Sequence, residues 1–209
     1  MSAIRFFLCA IPGVTFLYLA AVVGFSGTRP SFAPTSAETE ALVVQKLRAS
    51  DELTTAILSL QSATKVSSSN EVFNFPIGTT EILYIGYGEI RAGIELSAIA
   101  IGNVTSADGV VTVVLPAPKI LDSKIDVSRS GVASYDRSWL SPDKVVELTE
   151  YAERKALREM LEQSCGQGIL EEANKKSAIA IQGLLSSTGL TVVVKTQEPD
   201  LTGCREGAE

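Results

Sequence analysis

Hydrophobic and polar positions alternate with a period of two through the middle of the chain, then shift to the helical period. Residues 80–87 (TEILYIGY) and 89–96 (EIRAGIEL) predict two strands. Gly86 and Gly88 between them mark a bulge or a close backbone approach. Asp108-Gly109 is a strong turn signal, and the β-branched run 110–115 (VVTVVL) is too apolar for a surface strand, so it predicts a central one. Pro116 and Pro118 end it. Residues 119–127 (KILDSKIDV) mix polar and apolar positions and predict a more exposed strand. Residues 53–66 alternate loosely and read as a strand, a continuation of the preceding helix being the other reading; 67–70 (SSSN) read as a turn. Residues 190–195 (LTVVVK) predict the last strand.

Helices flank this block. Thr35 and Glu38 have capping-box spacing, and Ala37, Ala41, Val44 and Leu47 recur on one face, which predicts a short helix over 36–49. Ser141-Pro142 reads as an N-cap followed by the first helical position, with Asp143 suiting the positive end of the dipole. Val145, Leu148, Ala152, Ala156 and Met160 form an apolar stripe, opposite candidate i,i+4 pairs Glu150/Arg154, Lys155/Glu159 and Arg158/Glu162. Gly166 and Gly168 break this helix. Leu170, Ala173, Ser177, Ile181 and Leu184 mark a second, ending near Gly189, and residues 198–209 read as a frayed tail. Strands come before helices instead of alternating with them. That order predicts an α+β fold, a mainly antiparallel sheet with a C-terminal helix pair on one face.

The N-terminus is different in kind. Residues 6–25 (FFLCAIPGVTFLYLAAVVGF) are uncharged, long enough for a helix to span a bilayer core of about 30 Å. An uncleaved membrane anchor over 1–28 is the expected reading; a cleaved signal peptide and a buried helix are the others. Residues 29–36 then form a tether, and 37–197 the domain. Arg5 and Arg29 flank the span, and the domain is expected outside the cytoplasm.

Charge sharpens the division. The 209 residues carry 18 basic and 24 acidic side chains, no histidine, and a net charge of −6. Beyond residue 29 there are 16 basic against 24 acidic residues, a net of −8. The mean hydropathy of +0.23 therefore averages an apolar span with an acidic domain. A pI near 4.9 without a basic cluster argues against nucleic-acid binding. The missing histidine removes histidine relays, histidine zinc sites and histidine pH switches. No cofactor is expected.

Several ordered segments carry a family likeness. G-x-G-E-I-R-A-G-I-E-L-S at 86–97 is followed by G-V-V-T-V-V-L-P-x-P at 109–118 and I-L-x-x-x-I-D at 120–126. Tyr135-Asp136-Arg137, an A-x-x-x-A-L-x-x-M helix, G-I-L-x-x-A-N at 168–174 and a T-V-x-V strand complete the set. Over about 53–196 the chain resembles the bacterial domain-of-unknown-function family 4230, and the S-C-G-x-G-I-L around Cys165 looks most like cyanobacterial or plastid members. A single N-terminal membrane segment fits such proteins. The resemblance implies no activity, substrate or catalytic residue.

Four features have candidate chemistry. Gly86-Tyr87-Gly88 lacks the following helix and the Gly-Lys-Ser/Thr ending of a phosphate loop, so tight packing is the expected role. Glu89, Arg91 and Glu95 share one strand face; they make either a polar site or, as expected, a solvated face with cross-strand pairs. Tyr135, Asp136, Arg137 and Trp139 form the densest polar-aromatic cluster and are placed in the connection before the helix. They are candidates for a partner or ligand contact, with Trp139 stapling the helix start as the alternative. Cys165 and Cys204 remain outside the span, either bonded in an oxidising compartment or with Cys165 as a buried thiol. These features together predict a non-catalytic binding or scaffold domain on the membrane, with an unidentified protein partner. A small-molecule or lipid-binding envelope module is the alternative. Carboxylate acid–base chemistry by Glu89, Glu95 and Asp136 would require two of them to converge within about 5–10 Å.

Overall fold

The computed structural model describes residues 35–72 and 75–205. The anchor, most of the tether and the end of the tail lie outside the described residues. Among the described residues no helix is long and apolar enough to cross a membrane.

Helix α1 (Ser36–Arg48) begins as its capping signal predicts, with the Thr35 N–H donating to the Glu38 carboxylate at 3.0 Å. The strands that follow run far past their predicted limits. β1 (Glu52–Val72) and β2 (Phe75–Glu95) are each 21 residues and pair antiparallel at 20 positions, a ribbon about 65 Å long. The serines at 67–69 do not turn. They pair with Glu81, Thr80 and Thr79, and exposed Ser67 and Ser69 alternate with half-buried Ser68. Likewise 80–87 and 89–96 are one strand, because Gly86 and Gly88 keep the ladder intact while removing side chains from its inner face.

That inner face shows why the glycines are there. Ile82, Tyr84, Ile90, Ala92 and Ile94 line it, all buried. A Cβ on Gly86 would lie 3.0 Å from Met160 Cε and 3.2 Å from Ala156 Cβ; on Gly88 it would lie 2.6 Å from Met160 Sδ. The glycines form the groove into which the next helix settles.

Two short strands take up the other edge of β2 in tandem. β3 (Val104–Ala107) and β4 (Val110–Val114) form a hairpin elsewhere, while β5 (Lys119–Ile125) and β6 (Gly131–Arg137) pair antiparallel with 88–93 and 80–85 of β2. The β3–β4 turn has Asp108 at φ 51° and Gly109 at φ 77°, the two positive values of a type I′ turn. β4 is central, as expected, between β3 and parallel β7 (Thr191–Lys195).

The C-terminal helices are not side by side. α2 (Val145–Gly166) packs on the distal half of the ribbon, burying Leu148, Ala152, Ala156 and Met160 with Val66, Ile82 and Tyr84. Gly168, at φ 78°, turns the chain. α3 (Ile169–Ser186) then covers the proximal half with Ile169, Leu170 and Ala173 against Ala56, Ile90 and Ala92. Its last turns, Ile181 and Leu185, join the small sheet and Val43, Val44 and Leu47 of α1 in a third cluster. The helix pair is on one face, but end to end.

Three local expectations fail for physical reasons. α2 starts at Val145, not at Pro142, because Ser141 is buried beneath Gly78 and the Pro142 carbonyl accepts from Thr80 Oγ1 at 3.3 Å. Asp143 takes over the capping role, accepting the Val145 N–H at 3.2 Å. Among the described residues none of the three α2 ion pairs forms; Glu159 turns inward and accepts from Ser62 at 2.6 Å and Thr64 at 2.7 Å. Nor is the tail frayed up to residue 204. The Asp200 N–H donates to the Pro118 carbonyl at 2.9 Å, and a one-turn helix α4 (Thr202–Arg205) presents Cys204 to Cys165 in a disulfide, Cα–Cα 6.2 Å.

Two stability predictions follow from this packing. A Cβ on Gly93 would collide with the Leu53 carbonyl and lie 2.8 Å from Leu121 Cδ1, so Gly93→Ala should cost about 3 kcal/mol in urea unfolding. Gly102→Ala, with nothing within 4 Å, should change it by less than about 0.5 kcal/mol. Replacing Cys165 and Cys204 with serine should cost about 2–4 kcal/mol, because the bond closes a 39-residue separation. Reductant should lower the melting temperature of the parent protein and leave that of the double variant unchanged.

Candidate functional site

The Tyr135-Asp136-Arg137 run lies in strand β6, not in a connection. Pairing of 80–82 with 135–137 continues the ladder to the edge of the helix start. Alternation then splits the run. Asp136 lies opposite Glu81 on the solvent face, while Tyr135 and Arg137 lie opposite Ile82 and Thr80 on the helix side. The Tyr135 hydroxyl donates to Asp143 Oδ1 at 3.1 Å. Desolvation, then that carboxylate, raise the phenol above its ordinary pKa. Asp143 thus links the end of β6 to the first turn of α2.

Trp139 does not staple the helix. The Ser138 N–H donates to the Thr79 carbonyl at 3.0 Å and the Ser141 N–H to the Ser138 carbonyl at 2.9 Å, a turn that throws the indole outward. Trp139 is 88% exposed, with Leu140 at 50% and Val146 at 70% in the same corner. Beside them Asp143, Lys144, Val145, Val146, Glu147 and Glu150 line an open cavity of about 540 Å³. Here a strand end, a turn and a helix start expose aromatic and aliphatic surface beside acidic groups.

Glu89 and Arg91 belong to a different surface. On the outer face of the ribbon four cross-strand ion pairs form: Lys65–Glu81 at 2.7 Å, Glu89–Lys124 at 3.4 Å, Arg91–Asp122 at 3.9 Å and Glu95–Lys119 at 2.5 Å. Arg91 also donates to Thr54 Oγ1 at 2.9 Å, and the Lys119 contact holds the Glu95 carboxyl below its usual range. This is the solvated, cross-paired face expected of these residues. Glu89 and Glu95 are about 20 Å apart along β2, and Asp136, opposite Glu81, is further still from Glu95. The three carboxylates do not converge.

One constellation has no periodic signal. After β5 the chain turns through 126–130. Asp126 accepts from the Ser128 N–H at 3.0 Å, the Ser128 hydroxyl at 2.5 Å and Arg129 Nε at 2.6 Å. The Ser128 hydroxyl, then Arg129, hold its carboxyl down to about 2. Arg129 stacks 5.2 Å from the centre of the Tyr87 ring, and Ser130 Oγ accepts the Tyr87 N–H at 2.8 Å. With Ser59, Glu89 and Lys124 the turn borders a cavity of about 300 Å³, whose two cations each sit on a carboxylate. The Asp-Val-Ser-Arg spacing is the only hint of this Asx-type turn in the sequence. Among the described residues no three Cys, Asp or Glu side chains could hold a metal ion.

A long antiparallel ribbon backed by two helices end to end, with a small mixed sheet at its base, defines the class of domain. The chain belongs to the family described as "Protein of unknown function (DUF4230)", whose sequence model matches residues 45–195. No curated protein matches the chain, and no solved structure does.

The Asp126 turn makes a pH prediction. Its carboxyl titrates lower in the fold than the usual unfolded value near 3.9, so its contribution is complete above about pH 4 and is lost as pH falls through about 2. Asp126→Asn should be less stable than the parent at neutral pH, and the gap in urea midpoint should narrow from about pH 4 downwards. A gap constant to pH 2 would disprove the assignment.

Proposed function

We propose that this is a non-catalytic binding or scaffold domain, tethered to a membrane by residues 6–25 and working outside the cytoplasm with a protein partner. The observation that carries the reading is the β6–α2 corner. A Trp 88% exposed, followed by exposed Leu140 and, in the first turn of α2, exposed Val146, is the kind of surface that interfaces bury. Tyr135, bound to Asp143, and Arg137 supply a polar rim. The separation of Glu89, Glu95 and Asp136 supports a non-catalytic role. The Cys165–Cys204 bond supports an oxidising compartment, and so placement outside the cytoplasm.

Trp139 is the single tryptophan of the chain, so one residue serves both tests. A photo-reactive amino acid at 139, in native membranes, should cross-link a distinct protein. Trp139→Ala should weaken that association at least about tenfold, with stability unchanged within about 0.5 kcal/mol. Recovery of self-cross-links alone would reject the reading. Tryptophan emission of the free protein should be that of a solvent-exposed indole. A blue shift on adding lipid vesicles alone would instead favour the lipid-binding envelope module.

A further inference from the structure

The strand edges of this domain are treated unequally. The outer edge of β3 is closed by α1, where Glu40 accepts the Ser106 N–H at 2.8 Å. β5 is flanked by the docked turn at 200–204, through the Asp200–Pro118 bond and packing of Cys204 beside Ile120. β6 is seven residues long and carries Asp136 and Arg137; β7 is five and ends in Lys195. Among the described residues the outer edge of β1 has no such protection. Between the register shifts at Thr54/Ala56 and Asn70/Glu71 its ladder to β2 is regular, so every second residue turns its N–H and C=O away from β2. Among the described residues nothing hydrogen-bonds to those groups.

The composition of this edge is equally open. Residues 53–70 contain no proline and one charge, Lys65, which is already paired with Glu81 at 2.7 Å. Natural edges of this length are usually blocked by charge, proline or a bulge. Ile57 is 59% exposed, and Leu58 and Leu60, packed on the helix layer, remain half open. These apolar side chains lie where a neighbouring strand would cover them.

We propose that β1 pairs antiparallel with β1 of a second copy of this chain, joining two four-stranded sheets into one of eight strands. Three observations select a second copy. The domain is acidic, so two copies can approach only along a neutral face, and β1 is the neutral one. Antiparallel pairing of identical edges is self-complementary about a two-fold axis. Among the described residues each copy has one long open edge, so pairing closes at a dimer. The proposal goes beyond the corner contact at Trp139 and does not depend on it.

The test uses the full chain in detergent, with Cys9→Ser removing the remaining thiol. Single cysteines at Ser59, Gln61 and Ala63, all outward on the solvent side, should cross-link between copies through a short bis-maleimide. The yield should peak at one position, nearest the axis. Ser134→Cys on β6 should not cross-link. Light scattering should give a dimer that Gln61→Lys with Ala63→Lys weakens about tenfold or more, since four added charges meet across the interface. Circular dichroism of that variant should be unchanged, because both positions are exposed. A monomer at every concentration would overturn the proposal. So would a dimer insensitive to the two lysines, a dimer cross-linked through Ser134→Cys, or protection of the edge within one chain by residues 1–34.

Discussion

The pairing of β1 with β2 holds at 20 positions, and the two core clusters beneath the long helices depend on which side chains that pairing turns inward. A slip of one residue would bring Glu81, Tyr87, Glu89 and Arg91 beneath the helices and expel Ile82, Tyr84 and Ile90. Side chains of graded size punish the slip. Gly86 and Gly88 accept Met160, and Ala92 lies where Ala173 and Leu170 close in. Helices cannot approach this closely over larger residues, so the glycines set both the depth of α2 and the register of the strands. The buried polar groups fit the same register. Thr64 is 1% exposed, yet its hydroxyl is satisfied by Glu159, as Thr55 is by the Ala173 carbonyl at 2.9 Å. A shifted strand would strand both hydroxyls without partners.

A long ribbon explains the in-line helices. The ribbon is about 65 Å long, and a helix of 22 residues spans only about 33 Å, so α2 covers half and α3 must cover the rest. Gly168 in the left-handed region allows the direct restart. The same arithmetic explains β5 and β6. Neither is long enough to satisfy the β2 edge, and together they cover 80–85 and 88–93, leaving the interval to the Asp126 turn and its Ser130 contact to the Tyr87 N–H. Burial of Tyr84 beside this interval, reinforced by the Glu153 carboxylate, pushes its phenol above the ordinary value.

Legibility in the sequence followed the strength of the local signal. Both long helices, the central β4, the Asp108-Gly109 turn and the cross-paired face of Glu89 and Arg91 have strict periods or turn chemistry, and all are found. The full ribbon is hidden in the sequence because Ser67, Ser68 and Ser69 have turn propensity, which pairing with Glu81, Thr80 and Thr79 overrides. β6 has no local signal because Gly-Val-Ala-Ser carries no apolar alternation; its order comes from pairing with residues 80–85 of β2, distant in sequence. Trp139 carries the weakest signal. Nothing local tells an exposed indole from a buried one. Here the outcome is decided by Ser141, which occupies the space under Gly78 and forces the preceding turn outward. The corner was therefore visible as a cluster of residue types, and its exposure only as a consequence of tertiary packing.

Placement along the ribbon bears on how such a domain works. α1, where the domain begins, packs beside Ile94 and Leu96 at the base. Trp139 follows the turn bound to Thr79, about 15 residues, or about 50 Å, along β2 from that base. On the outer face between them four acidic and four basic side chains neutralise one another across strands. A domain entered at one end and presenting apolar residues at the other gains reach. Pairing of two β1 edges would add stiffness along that axis, because the long strands of each copy would support the other's. It would also present two Trp139 corners on one assembly, so that each partner contact is strengthened by the effective concentration of its neighbour.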